Sequence, residues 1–190
     1  MPRQTAVKQS SGKQGFVPSL LDLFRQYGYD GVSLSKISEA TGLGKASLYH
    51  HFPGGKEDMV ETVLVTLEQW LQATAVETLA GEGDALTRLG QMSDRIRDAY
   101  GHGKKPCILA ALALGSAKDT FHPQVKQLLQ QWIDAIAAVL IEDGRAKDLA
   151  QTRGEEAVVA IQGSLIVARV MDDPSIFERT MERLPEQLCH

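Results

Sequence analysis

Between Leu34 and Phe52 the chain has room for two short helices and little else. Leu34, Ile37 and Ala40/Thr41 share one helical face behind Ser33 as N-cap, and Gly42-Leu43-Gly44 then interrupts the pattern. Leu48 and Phe52 mark the inner face of a second short helix, from about Lys45 to Phe52, which Pro53-Gly54-Gly55 ends. Ahead of this pair Val17, Leu20, Leu21, Phe24 and Tyr27 recur at helical spacing, with Pro18 suited to a first turn and Gly28 to a stop. A supporting helix followed by two short helices around a glycine-containing turn is the helix-turn-helix arrangement.

The remainder also reads as helix. Lys56 opens a long helix reaching roughly to Leu79, followed by candidates at Ala85–Tyr100, Pro106–Lys118, Pro123–Glu142, Lys147–Met171 and Ser175–Leu188. Gly81/Gly83, Gly101/Gly103, His122-Pro123, Gly144 and Asp173-Pro174 punctuate them. No alternating run of β-branched residues competes, and no internal repeat is present. The expectation is an all-α fold in three parts: a flexible basic arm over 1–14, a three-helix domain over 15–57 and a helical body over 58–190.

Composition narrows the class. The 190 residues are 43% hydrophobic and 23% charged, enough for a core without disulfide or metal staples. The longest apolar runs, Cys107 to Leu114 and Ala135 to Ile141, are far shorter than the ~18 residues that span a bilayer. No apolar leader follows the Met-Pro-Arg start, and Cys107 and Cys189 form no disulfide framework, so a cytoplasmic protein is expected, with no membrane partner. The net charge of −4 conceals a division. Residues 1–56 carry seven basic and three acidic groups, +4, whereas 57–190 carry thirteen and twenty-one, −8. A basic end on an acidic body suits contact with nucleic acid, although a solvated face of like charge has the same composition.

The helix-turn-helix sharpens that reading. A helix entering a major groove about 12 Å wide needs small or polar side chains on its outer face. With Leu48 and Phe52 inward, Lys45, Ala46, Ser47, Tyr49 and His50 remain outside. Lys45 suits a guanine edge or a phosphate, Ala46 a thymine methyl and Ser47 either kind of base, while Tyr49 and His50 suit phosphates or bases. Ser33 and Lys36, at the start of the preceding helix, join them as candidate contacts. Lys56 and the free amides opening the next helix form an expected phosphate clamp.

Four runs carry a family resemblance: Gly28-Tyr-Asp-Gly-Val-Ser-Leu34, Ile37-Ser-Glu-Ala-Thr-Gly42, Lys45-Ala-Ser-Leu-Tyr-His-His-Phe52 and Gly55-Lys-Glu57. They resemble the tetracycline-repressor (TetR) family of bacterial transcription regulators over about residues 17–60. Phe52-Pro-Gly-Gly-Lys56, one residue longer than the family's commoner connection, is similar to a subgroup of multidrug- and quinone-responsive regulators. Cys107–Leu114, Gly163–Arg169 and Asp173-Pro-Ser-Ile-Phe177 resemble the C-terminal half of that subgroup more weakly. Gly44 stands where the family usually caps the recognition helix with Ser or Thr, a change worth a few tenths of a kcal/mol.

The resemblance implies a double-stranded DNA operator, a small-molecule effector and a homodimer. Such readers bind as pairs because one helix-turn-helix spans too few base pairs. In Lys147–Met171 a stripe of Ala157, Val158, Ile161, Leu165 and Ala168 is flanked by a second, smaller one of Ala160, Gly163, Val167 and Val170. With Phe177, Met181 and Leu184 of the last helix, the second stripe is the expected dimer seam, ordinary intrachain core being the alternative. Trp70, Met92, Ile96, Tyr100, Leu109, Leu112, Phe121, Trp132, Ile136 and Leu165 are candidate pocket lining, although the same spacing marks plain core. Arg95, Asp119, His122 and Gln162 are candidate polar groups within it. Cys107 fits either a thiol sensor or a small buried hydrophobe, and its apolar neighbours favour the second.

A ligand-responsive repressor is therefore expected, with a DNA-binding activator or a regulator without ligand as the alternative. An all-helical enzyme is the rival class, but the chain lacks a His-Glu-x-x-His, a Gly-x-Ser-x-Gly or a phosphate-cradling glycine loop. His50 and His51 diverge by about 100° on a helix and cannot hold one metal together, so no catalytic residue, metal or cofactor is expected.

Overall fold

The computed structural model describes residues 12–190; residues 1–11 of the expected basic arm lie outside the described residues. A 3-10 turn, Lys13–Phe16, leads into α1 (Val17–Gly31), where Gly28 breaks the helical path. Lys13, expected in a free arm, instead pairs its Nζ with Asp58 Oδ1 at 2.6 Å. Next come α2 (Leu34–Thr41), α3 (Lys45–His51) and α4 (Lys56–Leu71). A π-turn, Gln72–Val76, carries α4 into the single turn α5 (Glu77–Leu79). The body continues with α6 (Ala85–Ala99), α7 (Ile108–Leu114), α8 (Lys118–Glu142), α9 (Lys147–Val170) and α10 (Ser175–Cys189). No strand occurs among the described residues.

Helix boundaries depart from the sequence expectation around one proline. α8 begins at Lys118 and runs through Pro123, and α7 stops at Leu114 rather than Lys118. Pro123 removes the hydrogen bond to the Asp119 carbonyl, but both residues are exposed, where solvent can satisfy the freed group.

One apolar cluster runs from Val17, Leu20 and Phe24 through the helix-turn-helix into the body, as far as Leu188. α1 rests on α2, α4 and α7, which carries the core from the helix-turn-helix into the body. α4 also touches α8, and the expected boundary at 57/58 falls inside its first turn. Further out, α9 packs between α8 and α10, and α10 closes against α6. α8 and α9 approach most closely at Gly154, where a Cβ would lie 2.7 Å from the Ile133 carbonyl oxygen. Any side chain there pushes the two helices apart.

That arrangement corrects the expected dimer seam. Phe177, Met181 and Leu184 are 0%, 1% and 2% exposed within the single chain, filling the seam of α10 against α6 and α9. The outer side of α10 shows Arg179, Glu182, Arg183, Glu186 and Gln187 instead. On α9, by contrast, Val167 and Val170 are exposed, and Ala160 and Gly163 are half-buried. Val159, Ile166 and Met171 extend this apolar surface.

Candidate nucleic-acid interface

The reading head is built from local capping and a shared core. Ser33 Oγ accepts the Lys36 backbone N–H at 3.3 Å and starts α2. At its far end Gly42 takes a left-handed conformation (φ 71°), which glycine adopts without steric cost, and its N–H closes on the Ser38 carbonyl. The Thr41 hydroxyl donates to the Ile37 carbonyl at 2.7 Å and accepts the Leu43 N–H at 3.3 Å, tying the turn to the helix before it. α3 starts at Gly44 without a side-chain cap. It is held instead by Leu48 and Phe52, 1% and 0% exposed, in the cluster with Ile37, Val32 and Phe24. Truncating a leucine buried to that degree costs ~2–5 kcal/mol, far more than a cap contributes.

With those two side chains inward, Lys45, Ala46, Ser47, Tyr49 and His50 face solvent together along α3. Among the described residues none of the three ionisable members forms an ion pair. His51 is half-buried, its ring 5.1 Å from Phe16 and edge-on to His50 at 5.6 Å, so it links the exposed row to the side chains behind the helix. A row of small, hydroxylic and cationic side chains on a short helix stiffened from behind is suited to lie in a groove and read base edges.

Three other candidate contacts are engaged within the chain. Lys56 does not reach outward as a clamp: its Nζ donates to the carbonyls of Tyr29 at 2.9 Å and Val32 at 3.0 Å and lies 4.2 Å from the centroid of the Tyr29 ring. Lys36 likewise donates to the Gly31 carbonyl at 2.9 Å, with its ammonium 3.8 Å from the Tyr27 ring centroid. Ser33 is occupied as a cap. Sequence spacing places these residues near the motif, but whether a long side chain turns outward depends on the carbonyls and rings within its reach.

A polar clasp also joins α1 to the segment after α7. Asp30, just after the kink in α1, accepts the backbone N–H of Ser116 at 2.9 Å and also its hydroxyl, and these two bonds hold its carboxyl below the ordinary range. A Cβ on Gly115 would approach the same carboxylate to 3.1 Å.

The ten expected pocket residues do not gather around one cavity. Met92, Ile96, Tyr100, Leu109, Phe121, Trp132 and Ile136 are buried core side chains. Trp70 borders a depression beside Arg95, and Leu112 one beside Asp119 and His122. Only Leu165 joins a more apolar hollow, of about 260 Å³, between α7 and α9. Helical periodicity reports burial, and burial is the same for a filled core and a ligand site. Cys107 lies at this hollow, buried, and its Sγ accepts the Tyr100 hydroxyl at 3.2 Å. Burial, before the neighbouring thiol, raises the pKa of Tyr100 well above its ordinary value. Sequence reasoning passed over Arg25 and Arg169 at the same hollow, because a cation on an amphipathic helix reads as solvated surface.

No group of three His, Cys, Asp or Glu side chains comes together among the described residues, and no helix there is long and apolar enough to cross a membrane.

The profile of bacterial regulatory proteins of the tetR family matches residues 20–63, and that of the C-terminal domain of LmrA/YxaF-like transcriptional regulators matches 84–183. The HTH-type transcriptional regulator YxaF of Bacillus subtilis is 20% identical over 167 residues, covering 86% of this chain and 87% of YxaF. LmrA of the same organism, also an HTH-type transcriptional regulator, is 21% identical over 150 residues, covering 77% and 80%. A TetR transcriptional regulator from Legionella pneumophila superposes with a TM-score of 0.80 at 19% identity, over 96% of this chain and 99% of that one.

Proposed function

The chain belongs to the tetR family of bacterial helix-turn-helix transcriptional regulators, and from that premise we propose that it is a cytoplasmic repressor, binding a palindromic operator as a homodimer and released by a small, largely apolar ligand. The observation that carries the reading is the exposed outer face of α3, with Lys45, Ala46 and Ser47 toward its start and Tyr49 and His50 beyond them. Lys45 and Ser47 read bases, while Tyr49 and His50 take the flanking backbone.

The exposed apolar face of α9 supports the dimer. Val159 is 71% and Val170 75% exposed, with Ile166 and Val167 between them, and a continuous apolar patch on a helix marks an interface. A Cβ at Gly163 would meet nothing within 4 Å, so a facing helix has a shallow point at which to approach. The insertion in Phe52-Pro-Gly-Gly-Lys56 supports placement among the multidrug- and quinone-responsive members.

Selection of bound DNA from a random pool, followed by a salt titration of the winning duplex, tests the proposal. A palindromic site and a steep loss of affinity with salt, reflecting ~6–10 neutralised phosphates per dimer, are expected. Enrichment of no sequence, or salt-insensitive binding, overturns it.

A further inference from the structure

We propose that the groove where α1, α7 and α9 meet is the effector site, and that it takes an amphipathic organic carboxylate, its tail between α7 and α9 and its headgroup on Arg25 and Arg169. This deepens the ligand-responsive reading above and rests on it. The hollow of about 260 Å³ has an apolar floor of Cys107, Ala110, Ala111 and Leu165, and its rim is shared with Ile166 and Val170 of the proposed dimer face. A sealed apolar cavity of ~150 Å³ holds one benzene ring, so this one suits a bicyclic ring or a medium-length acyl chain.

The cations gather where this hollow meets its neighbour. Arg25, Pro106 and Arg169 border both this hollow and an adjoining opening, which Lys104, Lys105, Gln26 and Asp22 complete. Four cations thus face a single carboxylate, and among the described residues none of the five forms an ion pair. Arg25 is already placed: its guanidinium carbon lies 5.8 Å from the Tyr100 ring centroid, and its Nε is shielded from solvent with no hydrogen-bond acceptor. Gln162, another lining residue, has its side-chain amide beside the Tyr100 hydroxyl. Unpaired buried donors cost free energy that a charged acceptor restores, and a guanidinium fork matches a carboxylate. A neutral apolar ligand would leave the Arg25 donor as it is.

The position also couples the site to the reading head. Arg25 belongs to α1, which carries Asp30 at its far end, and Asp30 is clasped to Ser116 just beyond α7. A carboxylate on Arg25 with a tail against α7 therefore bears on both sides of that clasp, and α1 is the helix on which α2 packs. Release follows if the ligand binds better to the arrangement in which α1 has moved.

Calorimetric titration of the full chain, without DNA, with octanoate and with its neutral counterpart octanamide tests the site. Saturable binding of one octanoate per chain is expected, with octanamide at least tenfold weaker. Arg169→Gln, at an exposed position, should weaken octanoate about tenfold and leave octanamide unchanged, and Ala110→Trp should abolish both by filling the tail space. Equal affinity for acid and amide, no saturable octanoate binding, or unchanged affinity in Arg169→Gln overturns the proposal. Operator binding is measured on the same preparations. A chain that binds its operator and ignores octanoate overturns the site alone; one that takes octanoate and no palindromic DNA overturns the repressor reading alone.

Discussion

Replacing Lys56 by methionine keeps most of the aliphatic stem and removes the ammonium that the Tyr29 and Val32 carbonyls share. Each hydrogen bond from a charged donor contributes ~1.5–3 kcal/mol when well buried, and the half-buried position of Lys56 brings this toward the lower end. The cation over the Tyr29 ring adds ~0.5–1 kcal/mol. Val32 is 1% exposed, so water replaces the lost donor poorly at its carbonyl. Together these place the cost of Lys56→Met at about 2–4 kcal/mol, which at this chain length lowers the melting temperature by about 5–15 °C. Thermal unfolding by circular dichroism reads the loss directly. The salt dependence of operator binding, measured well below the melting point, separates this role from a phosphate contact. An internal staple leaves the log–log slope unchanged, whereas losing one phosphate contact per subunit flattens it by about 2 in a dimer. Unchanged stability together with a flatter slope would refute the reasoning.

Tyr49→Ala should weaken binding to all duplexes alike, whereas Lys45→Ala should shift base preference; a selection giving the wild-type site for Lys45→Ala removes its base-reading role. Val167→Asp, on the exposed face of α9, should convert a species of twice 20.7 kDa to one of 20.7 kDa by light scattering, with helix content retained. A wild-type chain that is already monomeric at micromolar concentration, or a variant that stays dimeric, contradicts the seam. The Asp30 clasp makes stability fall with acid. Because Asp30's carboxyl lies below its ordinary value in the fold, its contribution is complete above about pH 4 and declines as pH drops through the lowered folded pKa. Asp30→Asn should reduce that decline in an acid titration of the melting temperature, and an identical pH profile would show the clasp to be inert.

The helical class, the paired short helices and the outward set on α3 are all carried by local chemistry. A glycine that can take φ 71°, a serine that caps, and apolar residues at intervals of three and four act within a few residues of themselves, so the chain order records them. Pro123 misled for a related reason: proline ends a helix only when the lost bond cannot be replaced, and solvent exposure, a tertiary property, decides that. The partition of apolar stripes was decided wholly by tertiary structure. Phe177, Met181 and Leu184 carry the same helical spacing as a dimer seam, yet α6 and α9 cover them, while Val159, Ile166 and Val170 are left outside. The lysines show the same division. Lys45 and Lys56 both flank the motif, but only Lys56 finds two carbonyls and a ring within reach of its ammonium. Periodicity determines that a face is buried or polar; which neighbour covers it, and where a long side chain spends its charge, follow from contacts between residues far apart in the chain.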